Sequence, residues 1–425
     1  MSDATFQAPV GTHDVLGPES QLWEGVIATF AQLAYRYGFS MVVSPLFEDV
    51  GVFHRGIGEA SDVARKEMYV FEDRGGRRLA LRPEGTASLV RAFVQHHPVT
   101  PWRAWYLTPA FRYERPQAGR YRQHHQLGVE VLGSDDPAID VEVIALAVRF
   151  FRALGITKFR LLINSMGHDA CRGAYVEVLR RYLGEHEGEL CDEHQKIWSS
   201  NPLRVLDCKK PSCVAVTTRG PQLPDYLCDD CRTHFASVVR GLDAIGIASV
   251  LSPRLVRGFD YYTRTTFEFV SDVLDSAQNA LGGGGRYDKL AEELGGDPTS
   301  GIGFGVGVER LLLVRAAEGV SAPLLKRTID LFVIDTTTQD AATTLVDELR
   351  GAGFAVLRAY DQRSMKSQMK VADRSGARLA LLIGPQELDS NEVTIRDLRS
   401  QDFEQAQTRV PRSAIVSAVA QQLSK

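Results

Sequence analysis

Between Phe111 and Gln126 the chain reads FRYERPQAGRYRQHHQ, which sets Arg112, Arg115, Arg120 and Arg122 beside His124 and His125 within sixteen residues. Such a density of guanidinium groups suits a polyanion, because arginine offers a rigid fork of donors to phosphate or carboxylate. The flanking WYLTPAFRYE and HQLGVEVLG read as two strands of a hairpin around this tip. Period-two geometry puts Ala110, Arg112 and Glu114 on one face of the first strand and Gln126, Gly128 and Glu130 on one face of the second, with Leu127, Val129 and Val131 opposite. If the apolar faces are buried, the polar ones line a single cleft; a solvated basic tip is the alternative.

The run GIGFGVGVERLLL alternates Gly301, Gly303, Gly305 and Gly307 with Ile302, Phe304, Val306 and Val308. A strand here has one face without side chains, which costs stability unless something must approach the backbone closely, as a planar base would. The strand then enters a helix at about Glu309, leaving Arg310 near a helix start, where phosphate is favoured. Tight packing of strand on helix is the alternative. The glycine spacing is not G-x-G-x-x-G, and G-x-x-x-x-G-K-[ST] occurs nowhere in the chain, so a nucleotide here is held by neither a Rossmann turn nor a P-loop.

LVRGFDYYTRTTFEF supplies Arg257, with Tyr261 and Tyr262 beyond it. As a strand it would set Gly258, Asp260 and Tyr262 on one face and Arg257, Phe259 and Tyr261 on the other, unless Gly258 bulges the register. In LRPEGTA, Glu84 and Thr86 follow a strand and suit either an ammonium group or the cap of the next helix.

All six cysteines fall between Cys171 and Cys231. CDEH contributes Cys191 and His194, CKKPSC contributes Cys208 and Cys213, and CDDC contributes Cys228 and Cys231. A C-x4-C with a C-x2-C suits a tetrahedral zinc site of Cys208, Cys213, Cys228 and Cys231, although the candidate ligands outnumber the four required. Reduced thiols without metal are the alternative. Near the C-terminus, QRSMKSQMKVADRSGAR places Lys366, Lys370 and Arg374 on one helical face and Met365, Met369 and Ala372 on another, so the basic face suits RNA phosphates or simply water.

The elements that must position these groups follow from the pattern. A length of 425 residues with 44% hydrophobic content implies two or three domains. A net charge of -4 argues against bulk coating of nucleic acid but not against local basic patches. The N-terminal text has no basic start and apolar run, and no window approaches about eighteen apolar residues, so a cytoplasmic location away from the membrane is expected. Trp23, Ile27, Phe30, Leu33 and Tyr37 mark an amphipathic helix from Pro18 to Tyr37, followed by a strand, FSMVVSPLFED, whose Pro45 points to a sheet edge or strand end. MYVFE and RLALRP form a hairpin, EGTASLVRAFVQHH a short helix, Ala138 to Leu154 a longer one, and KFRLLINS a strand. Residues 169–239 read as a helical insertion in strand-rich text, Gly319 to Pro323 as a linker, and the rest as a small domain alternating strand and helix.

The order of these motifs, with LVRGFDYYTRT and RYRQHHQ as the most specific, resembles the histidyl-tRNA synthetases, a subgroup of the class II aminoacyl-tRNA synthetases. The resemblance covers nearly the whole chain. His124, where the family commonly has Phe, is a departure beside the motif positions. The non-catalytic synthetase-like regulatory subunit of ATP phosphoribosyltransferase is similar too, but it typically lacks the C-terminal domain and loses catalytic positions, whereas this chain keeps Arg112, Glu130, Arg257 and Arg310.

The resemblance implies an α+β fold: a class II antiparallel sheet flanked by helices over residues 1–325, with motif 1 at about 18–50, motif 2 at about 104–133, motif 3 at about 301–314 and the insertion within it, then an α/β anticodon-binding domain over 328–425. It implies a homodimer joined through the first helix and the Pro-bearing strand. It implies activation of L-histidine by ATP with Mg²⁺, then transfer to tRNA(His). Arg257 and Arg112 would be the catalytic cations, with Arg112 on the α-phosphate, Arg310 on the γ-phosphate, Arg120 on the phosphate tail and Glu114 on adenine. Glu130 and Tyr262 would read the imidazole, Glu84, Thr86 and Gln126 the ammonium, and Arg257 the carboxylate, with Tyr261 and Tyr287 shaping the pocket. Arg115 and Arg122 would remain for the tRNA acceptor end, and the face of Lys366, Lys370 and Arg374 for its anticodon.

Overall fold

Trp23, Val26, Phe30, Leu33 and Ala34 bury one face of helix α1 (Glu19–Arg36), and the chain leaves it through Gly38, whose φ of +76° suits a residue without Cβ. The structure is a computed structural model and describes residues 6–58, 61, 63–274, 279–322, 324–325, 328–360, 363–400 and 407–424. The run expected as one strand around Pro45 is instead two: β1 (Ser40–Met41) and β2 (Phe47–Asp49), which belong to different sheets. Pro45 has no N–H to carry a ladder across the gap.

Helix α2 (Val50–Ile57) starts on the carboxylate of Asp49, which accepts the Gly51 N–H at 2.8 Å. The hairpin of β3 (Val70–Glu72) and β4 (Arg78–Leu81) pairs with β2 in a small sheet, and α3 (Thr86–His96) follows. Then come the long strands β5 (Trp102–Phe111) and β6 (Gln123–Leu132), helix α4 (Pro137–Ala153) and strand β7 (Phe159–Ser165). Helices α5 (Asp169–Glu185), α6 (Leu203–Leu206), α7 (Pro211–Arg219) and α8 (Asp229–Ala244) make up the inserted module. The chain returns through β8 (Val250–Leu251), β9 (Thr263–Ser271), β10 (Ala280–Tyr287), α9 (Leu290–Glu293), β11 (Gly301–Gly307) and α10 (Val308–Ala317).

Eight strands form one sheet in the order β1-β5-β6-β11-β10-β9-β7-β8, antiparallel throughout its middle and parallel only at the two edge pairs. Its apolar face, with Leu127, Val129, Val131, Phe267, Ile302 and Phe304, packs against α1 and α4 around Phe30, Phe150 and Phe151. That leaves the other face to line a cleft. Deep in this layer Arg286 and Asp140, both fully buried, pair at 2.6 Å, and His234 reaches the same carboxylate at 3.2 Å. Arg286 also donates to the carbonyls of Ser134 and Asp136 and to Ser300 Oγ, so its remaining N–H groups are satisfied.

The chain divides into a compact unit of residues 1–325 and a second of 326–425. The expected linker lies just before this boundary; its last residue, Pro323, is outside the described residues. The second unit holds β12 (Leu331–Asp335), α11 (Asp340–Gly351), β13 (Val356–Arg358), α12 (Met365–Ser375), β14 (Leu379–Ile383), α13 (Pro385–Ser390), β15 (Glu392–Asp397), β16 (Gln407–Pro411) and α14 (Ile415–Leu423). Its sheet runs β13-β12-β14-β15-β16, with the last two strands antiparallel. Simple strand and helix alternation therefore ends at β15, which β16 follows with no helix between them among the described residues. The missed signal is NEVTIRD, which alternates Val393 and Ile395, both buried, with polar residues. Among the described residues no helix is long and apolar enough to cross a membrane.

Candidate active site

A cavity of about 420 Å³ opens on the polar face of the large sheet. Its floor is β6, β11 and β10, held in a register that sets Glu130 opposite Gly303 and Gly285 opposite Gly303 on the other side. The glycine face of β11 does two different jobs. A Cβ on Gly303 would fall 1.8 Å from Glu130 Oε2, and one on Gly301 2.2 Å from the Tyr287 ring, so these two glycines make room for protein side chains. Gly305 and Gly307 meet nothing closer than 3.5 Å and border the cavity itself. The open half alone could take a flat group, which corrects the expectation for the whole strand. On β10, Gly283 and Gly285 clear space in the same way for the Arg257 guanidinium and the Tyr262 ring, each 2.9 Å from where a Cβ would be.

Glu130 is fully buried beneath this floor. Its Oε1 accepts the Thr86 hydroxyl at 2.7 Å and the Tyr106 phenol at 3.4 Å, and its Oε2 accepts the Tyr287 phenol at 2.6 Å. Burial pushes its carboxyl up to about 8, with Glu84 nearby adding to the rise against the hydroxyl donors. Glu84 is also buried, and its carboxylate accepts the N–H of Thr86 at 2.5 Å and of Ala87 at 2.8 Å. These bonds tie it to the first turn of α3, and burial raises its pKa above the ordinary value. Tyr261 and Tyr262 pack with ring centres 4.6 Å apart and planes tilted by 48°, and Tyr261 meets Tyr287 edge-on.

One end of the cavity is cationic, built from arginines. Arg112 is fixed by the carbonyl of Pro83 at 2.9 Å and lies over Phe259. Arg310, in the first turn of α10, donates to the carbonyls of Ala280 and Gly119, the latter in the hairpin tip. Arg120, exposed at that tip, pairs with Glu114 at 2.8 Å. Burial, then the charges of Arg120 and Arg112, press the Arg310 pKa below its ordinary value. Burial and the same cluster push the His124 imidazole down to about 3, so it is neutral at pH 7. Cations crowded against one another in this way favour an anion among them.

Arg257 pairs with Glu268 at 2.6 Å and lies over Tyr262, and its buried Nε has no hydrogen-bond partner among the described residues. It stands in irregular chain before β9, not in a strand, so the alternation expected for residues 257–262 does not apply. Strand pairing starts only at Thr263, and the irregular chain before it, from Val256 to Tyr262, lines the cavity.

Arg112, Glu114, Arg120, Arg257, Arg310, Glu84, Thr86, Gln126, Tyr261 and Tyr262 all line this cavity, with Glu130 and Tyr287 just beneath. Sequence reasoning missed Tyr106, Glu268, Asp207 and the cavity-lining role of His124. Tyr106 was within reach of it, since it shares a strand face with Ala110 by simple alternation. Arg115 is exposed outside the cavity, and Arg122 lies over Tyr113 at 4.0 Å with its Nε on the Glu114 carbonyl. In the second unit, Lys366, Lys370 and Arg374 share the exposed face of α12, while Met365, Met369 and Ala372 pack inward.

The four cysteines expected to form one zinc site do not come together. Cys208 and Cys213 lie with Cys191 and His194, whereas Cys228 and Cys231 lie with Cys171 and His168. Chain order suggests joining the last two pairs, but the helices of the module bring each of them back to an earlier Cys and His.

The family profile described as histidyl-tRNA synthetase matches residues 11–168 and 218–311, and that described as anticodon binding domain matches residues 326–422. The histidine–tRNA ligase of Halothermothrix orenii is 46% identical over 93% of this chain and 95% of its own. That of Dehalococcoides mccartyi is 41% identical over 98% of this chain and 100% of its own. Among solved structures, the apo S. aureus histidyl-tRNA synthetase superposes with a TM-score of 0.82 at 33% identity, covering 98% of this chain and 100% of that one. With the cleft, its glycine floor and these likenesses together, the chain belongs to the histidyl-tRNA synthetase family.

Proposed function

We propose that the cavity activates L-histidine with ATP and that the chain then passes the histidyl group to the 3′ end of tRNA(His). The observation that carries this reading is the juxtaposition of a buried, hydroxyl-ringed carboxylate, Glu130, with a cage of arginines across a bare glycine floor. An imidazole has two nitrogens that donate and accept, and Glu130 with the Tyr262 phenol suits both. An amino acid without such a ring would forgo the imidazole's hydrogen bond to Glu130, a loss of roughly 0.5 to 1.5 kcal/mol. Glu84, Thr86 and Gln126 lie where they can take the ammonium group, and Tyr261 and Tyr287 shape the walls.

The substrate carboxylate is already ionised at neutral pH, so its attack on the α-phosphorus needs alignment and charge neutralisation more than a general base. One carboxylate oxygen bonds to the α-phosphorus as the bond to the bridging oxygen breaks, and pyrophosphate leaves with that electron pair. Arg257 would hold both the carboxylate and the α-phosphate, with Arg112 also on the α-phosphate and Arg310 and Arg120 on the outer phosphates. Glu114 is left for the adenine edge. Glu268, whose carboxylate lines the cavity, offers a hard oxygen donor that suits Mg²⁺, which when bound would neutralise the phosphate oxygens.

Arg115 and Arg122 lie beyond the cavity, on the side where an acceptor stem could meet the hairpin, and the basic face of α12 suits the anticodon. A homodimer is supported by exposed Tyr35, Met41, Val43, Leu46, Phe47 and Phe71 around the first helix and the Pro45 segment, a patch that a soluble monomer rarely leaves open. Such work belongs to the cytoplasm. Histidine-dependent exchange of pyrophosphate into ATP is the test: exchange with histidine and with no other amino acid is expected, and no exchange with Mg²⁺ present overturns the reading.

A further inference from the structure

We propose that the inserted module holds two structural zinc ions, one bound by His168, Cys171, Cys228 and Cys231 and the other by Cys191, His194, Cys208 and Cys213. The proposal is independent of the reaction assigned to the cavity. In each tetrad the four candidate ligand atoms all lie within 4.8 Å of one another. A tetrahedral cage with Zn–S bonds of ~2.3 Å has ligand edges of about 3.8 Å, so each cluster matches one ion with only small adjustment. Three thiols and one imidazole in a tetrahedral cage favour zinc over harder or planar-coordinated metals.

In the first tetrad His168 Nδ1 faces Cys171 Sγ at 3.1 Å, Cys231 Sγ at 3.3 Å and Cys228 Sγ at 3.9 Å. In the second, His194 Nδ1 lies 3.0 Å from Cys191 Sγ. Backbone amides already point at the sulfurs: Cys228 N donates to Cys171 Sγ at 3.2 Å, Cys231 N to Cys228 Sγ at 3.5 Å, and Cys191 N to Cys213 Sγ at 3.3 Å. Amide donors of this kind surround metal-bound thiolates and settle their charge. Disulfides account for the clusters poorly. Each tetrad has three cysteines, an odd number, and all six are free.

The module also needs such ties. Its own core is small, with Tyr175, Leu179, Leu183 and Val205 among its buried apolar residues and four cysteines counted within it. Its middle is made of single turns and the four-residue helix α6. Small cores of this size commonly rest on metals or disulfides. The first tetrad joins the point where the chain enters the module, after β7, to the start of α8, where it leaves. The second pins the turn at 191–194 to the connection after α6 and to the first turn of α7.

Both tetrads also touch the cavity wall. Asp207, beside Cys208, lines the cavity, and Arg254 donates to the Cys208 carbonyl at 2.8 Å. Arg172, beside Cys171, donates to the Tyr262 carbonyl at 3.0 Å. The ions would therefore hold the wall over the substrate as well as the module itself.

The test is zinc content of the tag-free, full-length protein by elemental mass spectrometry, with X-ray absorption at the zinc edge. Two zinc per chain are expected, with a first shell of three sulfurs at ~2.3 Å and one nitrogen at ~2.0 Å. One zinc per chain or none, or a shell of oxygen and nitrogen, overturns the assignment. Cys171→Ser and Cys213→Ser should each retain one zinc, and two zinc retained by either variant overturns it as well. Where a variant fails to fold, the wild-type zinc content and absorption spectrum decide.

Discussion

The Tyr287 phenol donates to Glu130 Oε2 at 2.6 Å, and Gly303 alone leaves room for that oxygen. The pair sits where burial holds the Glu130 carboxyl up at about 8. Below its ordinary value of 4.5, Glu130 is protonated folded or unfolded; above it, the unfolded chain loses the proton while the folded one keeps it. Stability therefore falls as pH rises from 4.5 to about 8, by up to roughly 5 kcal/mol from this group alone. Glu130→Gln should lack this slope. Urea unfolding of both chains between about pH 5 and 9 checks it, and parallel stability profiles would end the explanation.

The Asp140–Arg286 pair is expected to behave as a buried ion pair whose loss exposes the partner left behind. Burial pushes the Asp140 carboxyl upward, but His234 and Arg286 outweigh it and hold it below the ordinary value. Asp140→Asn should lower stability by about 3 to 5 kcal/mol, because Arg286 is then a buried charge without its counter-ion. Asp140→Leu combined with Arg286→Met should recover most of that loss. Denaturant midpoints of the single and double variants measure the difference; equal losses for both would show that volume, not charge, sets the cost.

What is legible in the sequence and what is not divides on physical grounds. Apolar periodicity locates α1, the β5–β6 hairpin and the passage from β11 into α10, since each buries one face and alternation or helical spacing records that directly. The polar face of β6 is legible for the same reason, so Gln126 borders the cavity and Glu130 lies beneath its floor. Arg112 lines the cavity from just past the end of β5, and not from the strand face expected for it and Glu114. Arg257 reads as part of a strand because LVRGFDYY alternates, yet here the chain lines the cavity as irregular backbone and no neighbouring strand enforces the pattern. Asp140 and Arg286 lie 146 residues apart in sequence, and nothing local marks either as the other's partner. The cysteine tetrads are hidden for the same reason, as the folding of α5 to α8, and not chain order, chooses the partners.

Arg257 separates binding from chemistry. Its Nε lacks a partner among the described residues and its Nη1 is held by Glu268, so the guanidinium is pre-aimed across Gly283 at the floor of the cavity. Arg257→Ala should reduce the rate of histidine-dependent pyrophosphate exchange by roughly 10² to 10³, the usual cost of losing one preorganised charge donor, while changing the KM for ATP far less. Arg257→Lys should recover only part, because a point charge does not span two oxygens as a planar fork does. Equal losses in rate and ATP affinity would make Arg257 a binding residue only.

The basic face of α12 makes the sharpest distinction between the two steps, because it lies on the second unit and the cavity belongs to the first. Lys366→Glu with Lys370→Glu reverses two exposed charges without touching Met365, Met369 or Ala372, which hold the helix in place. Pyrophosphate exchange should be unchanged, since no substrate of that step needs the helix. Aminoacylation should show a KM for tRNA raised about tenfold or more, with a weaker dependence on salt, because a phosphate that the helix no longer neutralises keeps its counterion on binding. Measuring the tRNA KM at two salt concentrations for both chains decides it: if KM and its salt dependence both match the wild type, the face is solvated and the tRNA is read elsewhere on this unit.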